Sequence, residues 1–164
     1  KSPRGSVTAR RDDMVEQVNL EAVKKDVVDA FTTGCMCSES VVTIANKHWD
    51  LGMSDDIMAI ATGFPYGFGN GGNVCGAVAG ATMALGKVFG RVIPGDPSYE
   101  KCIALVRELN DEVIAGFGSA LCPELLEGYE FKTPERKQHC IEIVVAVIEI
   151  FAHIMERECG VKVC

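Results

Sequence analysis

The sequence predicts an all-α protein, a compact bundle of about five to six helices with a glycine-rich loop entering the central helix. Apolar residues recur at three- and four-residue intervals through most of the chain, which is the spacing of one helix face. Between these segments lie the Gly, Pro, Ser, Thr and Asp residues that start and end helices. No convincing β-hairpin pattern is present. We expect a polar tail over 1–11 and a single helical domain over 12–164.

Each predicted helix has a signal at one or both ends. Gly34 and Gly52 follow the first two helices, in the position that favours glycine after the last turn. Thr133 and Pro134 are typical of the cap and first position of the last helix. The predicted helices, in order, cover 12–31, 37–51, 54–61, 74–88, 98–117, a short segment starting at Cys122, and 133–158.

The segment 63–90 contains nine of the 17 glycines of the chain. Its first part gives a backbone that can adopt positive φ and approach another group closely. Asn73 is the predicted N-cap, which would place Cys75 in the first turn of the central helix. Gly76 and Gly80 leave one face of that helix almost without side chains, so we expect another element to pack against it. The aromatic residues Phe64, Tyr66 and Phe68 are expected to fill the core.

Composition limits the partners. The formal net charge is −7 and no basic patch is evident, which argues against nucleic acid and anionic membranes. The apolar last helix contains Glu142 and Glu149, so we expect no membrane span. Its apolar surface fits either the core or a homodimer interface. Arg10 and Arg11 precede acidic residues rather than an apolar run, so no signal peptide is indicated, and cytoplasmic and periplasmic locations both stay open.

Eight cysteines are many for 164 residues. Cys37, Cys75 and Cys122 are each predicted at or beside a helix N-terminus, where unpaired N–H groups and the helix dipole favour thiolate. Cys140 is predicted in the second turn of the last helix. If these elements converge, four thiolates meet the usual ligand count of an iron–sulfur cluster. Cys35 could replace Cys37, since the two differ by one position.

The cysteines stand within a longer pattern. It resembles the redox-active protein family named for its C…CGAxxG…C…C cysteines, and the match spans most of the chain. The segments that carry it are Cys37-Ser38-Glu39, Cys75-Gly76-Ala77-Val78-Ala79-Gly80, Phe117-Gly118-Ser119, Cys122-Pro123-Glu124-Leu125 and Cys140.

The resemblance implies a helical domain with a redox or metal-related role. A similar domain in split-Soret cytochrome has an iron–sulfur cluster, which implies a cluster bound by Cys37, Cys75, Cys122 and Cys140, with [2Fe–2S] slightly favoured over [4Fe–4S]. This chain has no C-x-x-C-H haem motif, so the resemblance implies the cluster and not the haems. An electron-transfer protein with an unidentified redox partner is therefore expected, rather than a catalyst.

Two other functions use the same cysteines. They could cycle between thiol and disulfide without metal, helped by lowered pKa values at helix starts. They could also bind a structural zinc ion, although zinc sites usually contain two close ligand pairs.

Side chains outside the four cysteines receive structural interpretations. Cys102 is expected as a small buried hydrophobe, and Cys159 and Cys164 could pair together, pair with Cys35 or stay reduced. His139 is expected in solvent at a helix start. His48 and His153 are expected to be structural.

Overall fold

Eight helices and one pair of short strands make up residues 13–164, the part of the chain that the computed structural model describes. The elements are β1 (Gln17–Val18), α1 (Leu20–Thr32), α2 (Cys37–Trp49), α3 (Asp56–Ala61), α4 (Pro65–Phe68), α5 (Gly76–Phe89), α6 (Tyr99–Phe117), α7 (Cys122–Leu125), α8 (Pro134–Cys159) and β2 (Lys162–Val163). The all-α prediction is confirmed. The predicted tail over 1–11 and the first residue of the predicted domain lie outside the described residues.

The first helix begins later than the apolar spacing predicts. Asn19 is its N-cap and accepts a hydrogen bond from the Ala22 N–H at 2.9 Å. The preceding residues, Gln17 and Val18, form β1 and pair in parallel with Lys162 and Val163 of β2. The pairing joins the two ends of the described chain, and sequence periodicity contains no signal for such a distant contact.

The core is built around α8, whose buried face packs against α1, α2, α5 and α6. Phe151 of α8 meets the edge of the Trp49 ring of α2, with ring centroids 5.0 Å apart. Trp49 is the single tryptophan of the chain and is fully buried. By length and composition α8 could also cross a membrane, and 44% of its most apolar window is buried. A core helix meets the same criterion, so the absence of a span stays a prediction.

Helices α2 and α5 lie side by side, and Gly80 explains how closely they approach. A Cβ atom added at Gly80 would lie 2.5 Å from the Ser38 carbonyl oxygen and 3.0 Å from the Val41 Cβ. The prediction that another element packs against the glycine face of the central helix is confirmed. This contact also sets the distance between the starts of the two helices, where Cys37 and Cys75 lie.

The segment between α3 and α5 differs from the prediction in two respects. Tyr66 and Phe68 are each 43% exposed, and only Phe64 is partly buried, so these rings do not fill the core. The chain turns tightly here, with Tyr66 and Phe68 in the left-handed region at φ of 58° and 63°. In addition, Cys75 rather than Asn73 is the N-cap of α5.

Candidate functional site

One cavity of about 380 Å³ brings together the four cysteines that the sequence singles out. Cys37 is the first residue of α2, Cys75 the N-cap of α5 and Cys122 the first residue of α7, while Cys140 lies in the second turn of α8. Cys75 is buried and the other three are partly buried. Four elements that are distant in sequence therefore each bring a cysteine to one cavity.

The contact between Cys37 and Gly76 fixes two of these elements against each other. The Cys37 Sγ occupies the space that a Cβ atom of residue 76 would need. The same added atom would lie 3.3 Å from the Phe64 carbonyl oxygen and 3.3 Å from the Pro65 Cα. Glycine at position 76 is thus required for Cys37 to lie beside Cys75.

A short antiparallel bridge between Val74 and Leu121 connects the segments that contain Cys75 and Cys122. The Cys75 N–H donates to the Ala120 carbonyl at 2.8 Å, and the Cys122 N–H donates to the Asn73 carbonyl at 2.9 Å. Because each bond involves the backbone of a cysteine, the relative position of Cys75 and Cys122 is set by main-chain geometry.

Cys140 is positioned through its neighbour His139. The His139 Nε2 donates to the Leu125 carbonyl of α7 at 2.9 Å, and the imidazole stacks on Tyr129 with ring centroids 4.6 Å apart. His139 is partly buried rather than solvated, contrary to the prediction, because it connects α7 to α8. His153, expected to be structural, lies on the surface with its side chain 57% exposed.

Glu39 supports the first turn of α2 next to Cys37. Its carboxylate is buried, accepting from the Met36 N–H at 2.8 Å and from the Thr62 hydroxyl at 2.8 Å. The first bond is half of a capping box, which pairs an unsatisfied N–H group at the helix start. The second ties the end of α3 to α2.

The predicted lowering of thiol pKa values is wrong for these cysteines. Burial raises the pKa of Cys37 and Cys140 to about 11 and that of Cys75 to about 12, and it also raises the pKa of Cys122. Removal of a thiolate from water costs more free energy than nearby amides recover.

Backbone amides and one cation nevertheless oppose this effect. The N–H groups of Ser38 and Tyr66 lower the pKa of Cys37, and those of Ala77 and Val78 lower that of Cys75. The charge of Arg136 lowers the pKa of Cys122 and Cys140. Burial therefore favours the protonated thiols, but donors and positive charge are in place for their anionic forms.

The remaining cysteines differ in position. Cys35 also lines the cavity, so its exchange with Cys37 as a ligand stays open. Cys102 and Cys159 pack against the core but are only partly buried, so Cys102 is less buried than expected. Cys35 and Cys164 are free thiols, and the Cys164 thiol donates to the Val18 carbonyl at 3.3 Å.

The chemistry of the cavity wall favours soft metals. Of the described residues that line it, none is Asp, Glu or His, and the polar groups besides the thiols belong mainly to Lys132, Arg136 and Lys137. Among residues 13–164 no group of three or more His, Cys, Asp or Glu is arranged around a single metal-ion position. The cysteines that bind a cluster contact different iron atoms, so they are farther apart than the ligands of a single metal ion. Thiolate is the ligand type that soft metals prefer, so the cysteines are the side chains of this wall that could bind such a group.

The three cations were missed by the sequence reasoning, which found no basic patch. A signal for one was present, since Arg136 precedes Cys140 by four residues on the same helix. Residues at this spacing lie on one helix face.

A helical protein with four thiols around one cavity belongs to the class of candidate redox proteins. The sequence model of the family described as "Putative redox-active protein (C_GCAxxG_C_C)" matches residues 35–154, well over half of the chain. The chain therefore belongs to this family, as the cysteine pattern predicts, and the family's description supports a redox role. The family name places Gly before Cys in the central motif, whereas the chain has Cys75 before Gly76.

An uncharacterized protein of Archaeoglobus fulgidus is also similar to this chain. The two are 25% identical over 145 residues, which cover 79% of this chain and 91% of that protein. No solved structure matches the chain.

Proposed function

We propose that this protein binds an iron–sulfur cluster through Cys37, Cys75, Cys122 and Cys140 and transfers electrons. The observation that supports the proposal is the convergence of these four cysteines on one cavity whose wall contains no Asp, Glu or His. Thiolate is the common protein ligand of such clusters, and four is their usual number of protein ligands. A bound cluster would supply one-electron transfer.

The surroundings of the thiols are suited to an anionic group. The amides near Cys37 and Cys75 can donate to sulfur, and such donors raise the reduction potential of a thiolate-bound centre. Arg136 contributes positive charge beside Cys122 and Cys140. Apolar residues such as Ile143 and Val144 complete the wall and limit the access of water.

The raised pKa values favour the cluster over thiol–disulfide exchange. The attacking species in exchange is the thiolate, and thiols with a pKa of about 11 to 12 are almost fully protonated at neutral pH. A bound metal centre, in contrast, supplies the positive charge that displaces the protons.

The first test is iron and acid-labile sulfide per chain, with a visible spectrum, on protein purified without air. We expect stoichiometric iron and sulfide, and we expect Cys75→Ser to bleach the chromophore. Cys164→Ser is the matched control, because Cys164 is exposed and lies outside the cavity wall. Paramagnetic resonance of the reduced protein then distinguishes [2Fe–2S] from [4Fe–4S].

Three other results would redirect the assignment. Unchanged iron in Cys75→Ser would exclude this residue as a ligand. Absence of iron and sulfide after anaerobic reconstitution would exclude the cluster, and a reversible two-electron change in thiol count would then identify thiol–disulfide chemistry. A colourless protein that contains zinc and unfolds with a chelator would identify a structural zinc site.

A further inference from the structure

The mouth of the cavity has a composition unlike the rest of this acidic chain. The segment between α7 and α8 and the first turn of α8 supply Phe131, Lys132, Arg136 and Lys137, and Tyr66 of α4 lies beside them. The Tyr66 and Phe131 ring centroids are 6.0 Å apart. We call these five residues the cationic rim.

The rim exposes aromatic surface next to positive charge. Phe131 is 58% exposed, and the Arg136 guanidinium and the Lys132 Nζ lie 4.9 and 5.5 Å from its ring centroid. Within residues 13–164, no carboxylate forms an ion pair with Lys132, Arg136 or Lys137. Lys132 and Lys137 are exposed and Arg136 is partly buried, so positive charge that such a pair does not neutralise reaches the surface of a chain whose net charge is −7.

The backbone holds two rim residues in an uncommon conformation. Tyr66 and Lys132 have φ of 58° and 62°, in the left-handed region that side chains with a Cβ seldom adopt. Such residues cost free energy and are found most often at functional sites. Both conformations occur in the segments that border the thiol cavity.

We propose that the cationic rim is the docking surface for an acidic electron-carrier protein. This inference rests on the proposed function, because the rim residues line the same cavity as the four cysteines. Positive charge on an otherwise acidic molecule selects an acidic partner and orients it during encounter. Exposed Tyr, Phe and Arg are the residue types enriched at protein interfaces, and electron-transfer complexes use small ones. A small anion would need the cations but not the exposed rings.

The test measures binding rather than electron transfer. Two acidic carriers, a plant-type [2Fe–2S] ferredoxin and a flavodoxin, are titrated calorimetrically into the full chain at ionic strengths of roughly 10 and 150 mM, between which screening increases strongly. A basic c-type cytochrome serves as the opposite-charge probe. We expect at least one acidic carrier to bind, with affinity falling at the higher ionic strength, and the cytochrome not to compete.

Charge-reversal variants then locate the surface. Lys132→Glu with Lys137→Glu should weaken carrier binding about tenfold or more at low salt. Arg107→Glu with Lys162→Glu is the matched control, since it makes the same change in net charge at exposed residues outside the cavity wall. We expect the control to retain most of the affinity. Phe131→Ala should weaken binding while leaving its salt dependence in place.

The outcomes separate this proposal from that of the cluster. Binding is measured on the native chain and on the Cys75→Ser variant. A native chain that contains no iron after anaerobic reconstitution but still shows rim-dependent binding would refute the cluster and retain the docking surface. Equal losses in the rim and control variants, or no salt-dependent binding of either acidic carrier, would overturn the docking surface. Competition by inorganic phosphate at low millimolar concentration would also overturn it, because the rim would then be a small-anion site.

Discussion

The Sγ atom of Cys37 lies against the α-carbon side of Gly76, where no β-carbon could be accommodated. This contact joins the first residue of α2 to the first residue of α5 and brings two of the four thiols to one side of the cavity. Gly76 is adjacent to Cys75, so a change at this glycine affects both cysteines.

Gly76→Ala should therefore impair the site more than the fold. The added methyl group displaces the Cys37 thiol, which can rotate, while its contacts with Phe64 and Pro65 at 3.3 Å are only moderately tight. We expect a several-fold loss of bound iron under conditions that load the native protein. The measurement is iron per chain together with the denaturant midpoint, and full iron loading in the variant would contradict the prediction.

Gly80→Ala should mainly reduce stability. Its methyl group would meet the Ser38 carbonyl oxygen at 2.5 Å, so α2 and α5 must separate, at a cost of about 1–3 kcal/mol in the free energy of unfolding. The fluorescence of the buried Trp49 reports unfolding in urea.

Gly86→Ala is the control on the same helix. No atom lies within 4 Å of the added Cβ at position 86, and alanine is the better helix former by about 0.5–1 kcal/mol. We expect this variant to be slightly more stable than the native chain. Destabilisation by both alanines would show that steric contact at position 80 is not the cause.

The reduced, metal-free protein should lose stability at alkaline pH. The Cys37, Cys75 and Cys140 thiols have an ordinary pKa of 9.0, and folding raises it to about 11, 12 and 11. A thiol whose pKa is raised by folding contributes its full stabilisation below pH 9.0, its pKa in the unfolded chain. That stabilisation is lost as the pH rises through the pKa of the thiol in the folded protein. Urea titrations of metal-free protein between pH 7 and roughly 10.5 test this.

The Cys75→Ser variant isolates one thiol in that experiment. Serine does not ionise in this range, so the slope of stability against pH above 9.0 should be smaller than in the native chain. An identical slope in the two proteins would assign the alkaline loss to other groups.

Arg136→Gln should raise the pKa of Cys122 and Cys140, because the guanidinium charge lowers both. In metal-free protein, the pH profile of Cys140 alkylation, followed by peptide mass mapping, should move to higher pH. In loaded protein, loss of a positive charge near the centre should lower its reduction potential. Arg107→Gln on α6, outside the cavity wall, is the control for net charge, and equal shifts in both variants would remove Arg136 from this role.

The sequence determined most of the helices and singled out the four cysteines that line the cavity. Caps, glycines and apolar spacing are local signals, and they predicted most helix limits to within a few residues. The cysteine pattern predicted the family, which the family match confirms, and it singled out four residues that the fold brings to one cavity. The ligand role of these residues stays a prediction.

Tertiary structure decided what depends on distant contacts. The β1–β2 pairing joins residues more than a hundred positions apart, and no local periodicity encodes it. The fold also decided the direction of the thiol pKa shifts. A helix start favours the thiolate only where water or a nearby charge also stabilises it. Here the thiols are buried, and the loss of hydration raises their pKa. The cationic rim is likewise invisible in the net charge, since it forms only where the segment before α8 meets Tyr66 of α4 and a few cations of an acidic chain line one cavity.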